Sequence, residues 1–213
     1  MARARFDNLE PAKQEAILSV AAGEFAEHGY GGASVNRIIQ ASGMSKGSLY
    51  YYFDDKADLF STVLERALTR LMEESGWFTL DETTPADFWD TVLDLTHKAV
   101  EVAARDDWWI RLGRAYHRFQ VEETNDAAVQ RLADFGRSWW RTLIQRGQTL
   151  GVIRDDLPLG LLVETVLGAD MGGDRWMMEH WETFTTDELM GIVDGRVDLL
   201  RDMLDKRNEG WER

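Results

Sequence analysis

Apolar residues recur every three to four positions through almost the whole chain, and no stretch sustains the alternation of a half-buried strand. This spacing predicts nine helices, over 10–28, 34–42, 45–52, 55–75, 84–105, 107–122, 125–150, 158–181 and 185–206. The three prolines, Pro11, Pro85 and Pro158, each stand where a periodic segment begins, the place where a missing N–H costs least. Thr84-Pro85-Ala86-Asp87 and Thr185-Thr186-Asp187-Glu188 put a hydroxyl at a helix cap and a carboxylate three residues on. Asp55-Lys56-Ala57-Asp58 is a weaker version of the same signal. The longest interior connections, 76–83 and 151–157, do not read as flexible linkers. The pattern predicts an all-α protein.

Residues 34–56, SVNRIIQASGMSKGSLYYYFDDK, depart from long regular helices. Ser34 is placed to cap a short helix whose Val35, Ile38 and Ile39 face inward, and Gly43 follows its last turn, where a positive φ costs glycine little. Ser45 is placed to cap a second short helix that turns Leu49 and Phe53 inward. Two short helices joined by a glycine-containing turn are a helix-turn-helix, whose second helix enters the DNA major groove. Its outward residues are Lys46, Gly47, Ser48, Tyr50, Tyr51 and Tyr52: a cation, an open backbone position, a hydroxyl and three phenols.

This segment and the helix before it resemble the TetR (tetracycline repressor) family of bacterial transcriptional regulators. The matching text is Ala16-Ile17-Leu18, Ala21-Ala22 and Phe25-Ala26-Glu27-His28-Gly29-Tyr30, then Ser34-Val35, Ile38, Ala41 to Phe53, Lys56 and Leu59. The resemblance implies an N-terminal three-helix DNA-binding domain, 1–54, packed on a helical ligand-binding and dimerisation domain, 55–213. It implies a homodimer on a palindromic operator in double-stranded DNA, usually a repressor, released by a small molecule. Carried over by position, the DNA contacts are Asn36, Arg37, Ser45, Lys46, Gly47, Ser48, Tyr50, Tyr51, Tyr52 and Lys56. Tyr50 and Lys56 would hold phosphates, Gly47, Ser48 and Tyr51 would lie nearest the base edges, and Asn36 would be able to pair with adenine. The Arg3/Arg5 stretch is read as a disordered charged terminus, with an arm that touches phosphate or the minor groove as the alternative.

Charge refines this picture. The 213 residues carry 24 Lys+Arg against 38 Asp+Glu, a net charge of −14, which argues against a general nucleic-acid coat. Residues 1–60 hold only six basic and eight acidic residues, leaving most of the negative charge to the remainder. There is no cysteine, which excludes disulfides and thiolate metal sites. The N-terminus lacks a signal-peptide pattern and no apolar run spans a membrane, so the expected location is the cytoplasm, with no membrane partner.

Beyond residue 60 the distinctive feature is tryptophan. Eight of nine, Trp77, Trp89, Trp108, Trp109, Trp139, Trp140, Trp176 and Trp181, fall between 77 and 181, and the ninth is Trp211. Neighbours on a helix point about 100° apart, so one member of each pair, Trp108-Trp109 and Trp139-Trp140, is expected to line a cavity, an interface or solvent. An apolar or aromatic effector site is expected from Trp108, Leu112, Tyr116, Phe119, Trp140, Leu143, Leu167 and Met171, with His97 and His117 as polar groups. Asp170 joins this set because it interrupts the apolar, glycine-rich run VLGADMGG. A filled aromatic core is the competing account, and it favours a regulator that answers to a protein partner.

The last two helices read as a dimer interface. Leu189, Val193, Val197, Leu200 and Leu204 form one stripe, and Gly168 and Gly172 permit close approach of a neighbouring helix. TetR-type proteins dimerise through a four-helix bundle of this kind. An enzyme is the other class considered. The four histidines lack ligand spacing and no catalytic triad or phosphate loop stands out, so the expectation is no enzyme, no cofactor and no metal.

Overall fold

The structure, a computed structural model, describes residues 2–105, 107–122 and 127–206. Trp211 and the first two residues of the expected 125–150 helix lie outside that set. Among the described residues there are ten α-helices: α1 (Ala2–Asp7), α2 (Pro11–Gly32), α3 (Val35–Ser42), α4 (Lys46–Tyr52), α5 (Lys56–Ser75), α6 (Phe88–Ala104), α7 (Asp107–Glu122), α8 (Ala127–Leu150), α9 (Leu159–His180) and α10 (Thr186–Leu204). Two 3-10 helices, Trp77–Glu82 and Trp181–Thr183, join α5 to α6 and α9 to α10. No strand occurs among these residues, so the protein is all-α.

Local chemistry explains most of the boundaries. Helical geometry in α2 breaks at Gly29, with φ 67° and ψ 175°, which is why the periodic pattern stops at 28 although the chain turns on to Gly32. Thr185 and Glu188 close a full capping box at the start of α10, as their spacing predicts. The similar signal at Thr84 behaves differently. Asp87 accepts from the Thr84 N–H (2.6 Å), but residues 85–87 stay in a turn and α6 starts at Phe88, four residues later than its pattern suggests. The expected connection 76–83 is a 3-10 helix entered through Gly76 at φ 83°. The N-terminus, read as disordered, forms α1.

Two compact units result, and they do not divide at residue 55. One comprises 1–69 and 106–133, the other 70–105 and 134–213. The core of the first gathers α1 to α5 and α7, with Phe25, Phe53, Phe60, Ile38, Leu49 and Phe119 all fully buried. α7 packs along α2, and Phe119 closes against Tyr30 (centroids 4.3 Å apart) and Phe60 (5.1 Å). The core of the second gathers α6, α8, α9 and α10 around Phe88, Leu143, Ile144, Val163, Val166 and Val193. The chain crosses between the units inside α5, between α6 and α7, and inside α8.

Candidate nucleic-acid interface

The first unit holds a short helix, a turn and a second short helix in fixed geometry. Ser34 caps α3 by accepting from the Arg37 N–H (3.4 Å), and Gly43 ends that helix in the left-handed region at φ 68°. Ser45 caps α4 by accepting from the Ser48 N–H (3.0 Å), and the two hydroxyls share a further hydrogen bond of 2.9 Å. Leu49 and Phe53 anchor α4 in the core, which leaves Lys46, Gly47, Tyr50 and Tyr51 exposed in a row with Ser45 and Ser48 at the helix start. Tyr51, at 51% exposure, stands slightly more open than Tyr50 at 46%. Asn36 on α3 is also exposed. A cation, two phenols, hydroxyls and an open glycine thus share one surface, suited to phosphates and base edges.

Three of the proposed contacts are otherwise engaged. Arg37 clamps α2 to α3: its guanidinium donates to both Glu24 carboxylate oxygens and to the Gly32 carbonyl (2.9 Å). That hydrogen bonding holds the Glu24 carboxyl below the usual carboxylate range, with help from the Ser34 N–H at 2.7 Å. Lys56 donates to the Tyr30 carbonyl (2.8 Å) and reaches those of Ala33 (3.4 Å) and Gly31 (3.5 Å), with its ammonium 4.5 Å from the Tyr30 ring centroid. It satisfies the end of α2, where carbonyls lack helical partners. Tyr52 is half-buried, edge-on to Phe6 at 6.2 Å.

Comparison with known proteins agrees with this geometry. Residues 17–63 match the description "Bacterial regulatory proteins, tetR family". The HTH-type transcriptional repressor AcnR of Corynebacterium glutamicum is 40% identical over 206 residues, covering 92% of this chain and 98% of that protein. The chain belongs to the TetR family. AcnR of Corynebacterium diphtheriae agrees, at 30% identity over 184 residues, covering 79% of this chain and 86% of that one. The fatty acid degradation regulator FadR from Bacillus halodurans superimposes with a TM-score of 0.67 at 18% identity, covering 93% and 99% of the two chains, a likeness of fold. This TetR-family chain is therefore a DNA-binding transcriptional regulator rather than an enzyme.

The effector residues expected from sequence fall in both units. Trp108, Leu112, Tyr116, His117 and Phe119 lie on α7 in the first unit, where Leu112 and Phe119 are sealed against the core beneath the helix-turn-helix. His97, Trp140, Leu143, Leu167, Asp170 and Met171 lie in the second unit. There, His97 Nε2 is 2.6 Å from Asp194 Oδ1, an interaction that ties α6 to α10. Asp170 accepts from Trp140 Nε1 (3.3 Å) and Arg196 (2.9 Å), and Arg196 also donates to Asp174 (2.7 Å). Burial, reinforced by the neighbouring Asp174 charge, pushes the Asp170 carboxyl up to about 7. The arrangement depends on Gly173, where a Cβ would stand 2.8 Å from Arg196 Nε. Trp108 meets Trp109 edge-to-face (4.7 Å) and Trp139 meets Trp140 likewise (4.6 Å); Trp140 is buried and the other three are half-buried.

The dimer stripe is corrected as well. Leu189, Val193, Val197 and Leu204 are buried inside the second unit's own core, and Leu200 packs partly against it. Apolar positions at this spacing mark whichever face is covered, and here the chain covers it itself. The open face of the same two helices carries Leu161, Gly168, Gly172 and Trp176 on α9 and Gly191, Gly195 and Leu199 on α10. Of these, Gly168 and Gly172 belong to the expected set, and a Cβ on either would meet nothing within 4 Å.

Proposed function

We propose that two copies of this chain bind a palindromic operator, each placing α4 in a major groove, and repress transcription from it. The observation that carries this reading is the surface of α4, whose anchored Leu49 and Phe53 hold Lys46, Ser48, Tyr50 and Tyr51 outward on a rigid base. One such helix reads only a few base pairs, so useful specificity needs two copies on adjacent half-sites. The open α9–α10 face supports dimerisation through Leu161, Trp176 and Leu199, at 66% exposure the most exposed of the three, with the four glycines allowing backbones to approach. The repressors named AcnR support the sign of regulation. A cytoplasmic location follows from the DNA target; no described helix is long and apolar enough to cross a membrane.

Release from DNA is assigned to a small apolar or aromatic effector in the second unit, among Trp140, Leu143, Leu167 and Met171, with Asp170 as its polar neighbour. A structural relative, FadR of Bacillus subtilis, was solved in complex with stearoyl-CoA, which supports a ligand-responsive fold of this kind (TM-score 0.65, 15% identity, covering 88% and 97% of the two chains). An effector acts only through differential affinity for two conformers. α5 is the candidate lever, since it begins at Lys56 beneath the DNA surface and ends in the second unit at Ser75. Fluorescence tests the site, because a bound aromatic compound should quench intrinsic tryptophan emission, and Trp140→Ala should remove part of the effect. If a broad panel of apolar and cationic compounds neither quenches emission nor changes DNA affinity, control by a protein partner replaces this reading.

A further inference from the structure

The family description starts at residue 17, yet α1 forms ahead of it and packs on α4. Phe6 is 2% exposed, with its ring centroid 4.8 Å from that of Phe53 and 6.2 Å from that of Tyr52. One residue earlier, the Arg5 guanidinium carbon lies 4.5 Å from the centroid of the Tyr51 ring. Tyr51 also meets Tyr52 edge-to-face at 5.2 Å. A charged plane and a second phenol therefore both contact the most exposed aromatic residue of the reading helix.

The six residues of α1 are too few to persist as an isolated helix, so these contacts and a polar latch must hold it. The latch is Gln14, whose Nε2 donates to the carbonyls of Asp7 (3.1 Å) and Leu9 (2.9 Å). Arg66 on α5 in turn donates to Gln14 Oε1 (3.3 Å). α1 is thus tied to the core by Phe6, to α2 by Gln14 and to α5 through Arg66. An exposed tyrosine on a seven-residue helix would otherwise be free to exchange rotamers.

We infer that Arg5, seated by Phe6, is a positioning residue that fixes the Tyr51 ring in the orientation that meets base edges. A segment outside the matched helix-turn-helix then contributes to operator selectivity without touching a base. The inference rests on α4 reading DNA. A direct contact from Arg5 to phosphate is the rival, and it has a different signature, because a phosphate contact changes salt dependence rather than sequence preference.

The test uses the full chain and a duplex that the unaltered protein selects from a random library. Affinity for that duplex relative to a scrambled one is measured over a salt series for Arg5→Ala, Tyr51→Ala and the double variant. Arg5→Ala is expected to lower the ratio about 2- to 5-fold, the scale of an exposed cation–aromatic contact, with the salt slope unchanged. In the Tyr51→Ala background it is expected to change nothing further. Three results would overturn the inference: an unaltered ratio, an equal loss in both backgrounds, or a slope that falls by about one per subunit with the ratio intact. If Tyr51→Ala itself leaves selectivity unchanged, the assignment of the recognition face fails as well, so the two failures are distinguishable.

Discussion

Lys56 illustrates how a residue's charge and its role separate. By position it resembles a phosphate contact, but its ammonium is committed to carbonyls at the end of α2 and to the Tyr30 ring. Lys56→Met should therefore lower stability by about 1–2 kcal/mol, allowing for its partial exposure, since hydrogen bonds from a charged donor contribute about 1.5–3 kcal/mol. The salt slope of DNA binding should stay as it is. A thermal melt and a salt titration check both halves, and a phosphate role would instead reduce the slope by about one per subunit. The opposite behaviour is expected of the exposed face. Lys46→Ala should reduce the slope, whereas Ser48→Ala and Tyr51→Ala should relax preference at particular base pairs by about 1–3 kcal/mol each. A library selection with each variant separates the two classes. The caps Ser34 and Ser45, Gly43 and the buried Leu49 and Phe53 were readable directly, because local hydrogen bonding and glycine geometry fix them within a few residues. Arg37 was not, since its partner Glu24 stands thirteen positions earlier on another helix.

At the scale of elements, periodicity located the helices from α2 onward and left out what long-range contacts decide. α1 lacks any repeat long enough to register, and it exists because Phe6 finds Phe53. The stripe on α10 was visible, but periodicity cannot say whether the covering surface belongs to the same chain or to another copy. α8, α9 and α10 also meet through a polar cluster, Trp140, Asp170, Asp174 and Arg196, that spacing alone could not assemble. Its consequence for pH follows from linkage. The Asp170 carboxyl titrates near 7 in the folded chain against an ordinary value of 3.8, so the folded state retains a proton that the unfolded state has lost between those values. Its contribution to stability therefore falls as pH rises from about 4 to about 7 and is level above that. Asp170→Asn should remove this slope, leaving a stability difference from the unaltered protein that grows with pH across the same window. Chemical denaturation at several pH values measures it, and a difference independent of pH would contradict the assignment.

For the whole molecule, the division into units recasts how a signal would travel. α7 belongs with the helix-turn-helix unit, although it sits in the chain between α6 and α8 of the other. An effector that shifts the second unit thus has covalent access to the first through α5, the junction of α6 with α7, and α8. Sequence order could not show this, because α7's apolar stripe is compatible with either core. In the proposed complex two α4 helices, one from each of two copies, read one operator. Successive major grooves on one face of a duplex lie about 34 Å apart, so half-sites about ten base pairs apart, centre to centre, should bind far more tightly than one alone. Sedimentation equilibrium with such a duplex, selected from a random library, measures the stoichiometry directly. Two chains per duplex, with affinity collapsing when one half-site is scrambled, is the predicted result. One chain per duplex, with affinity unaffected by that change, would contradict it.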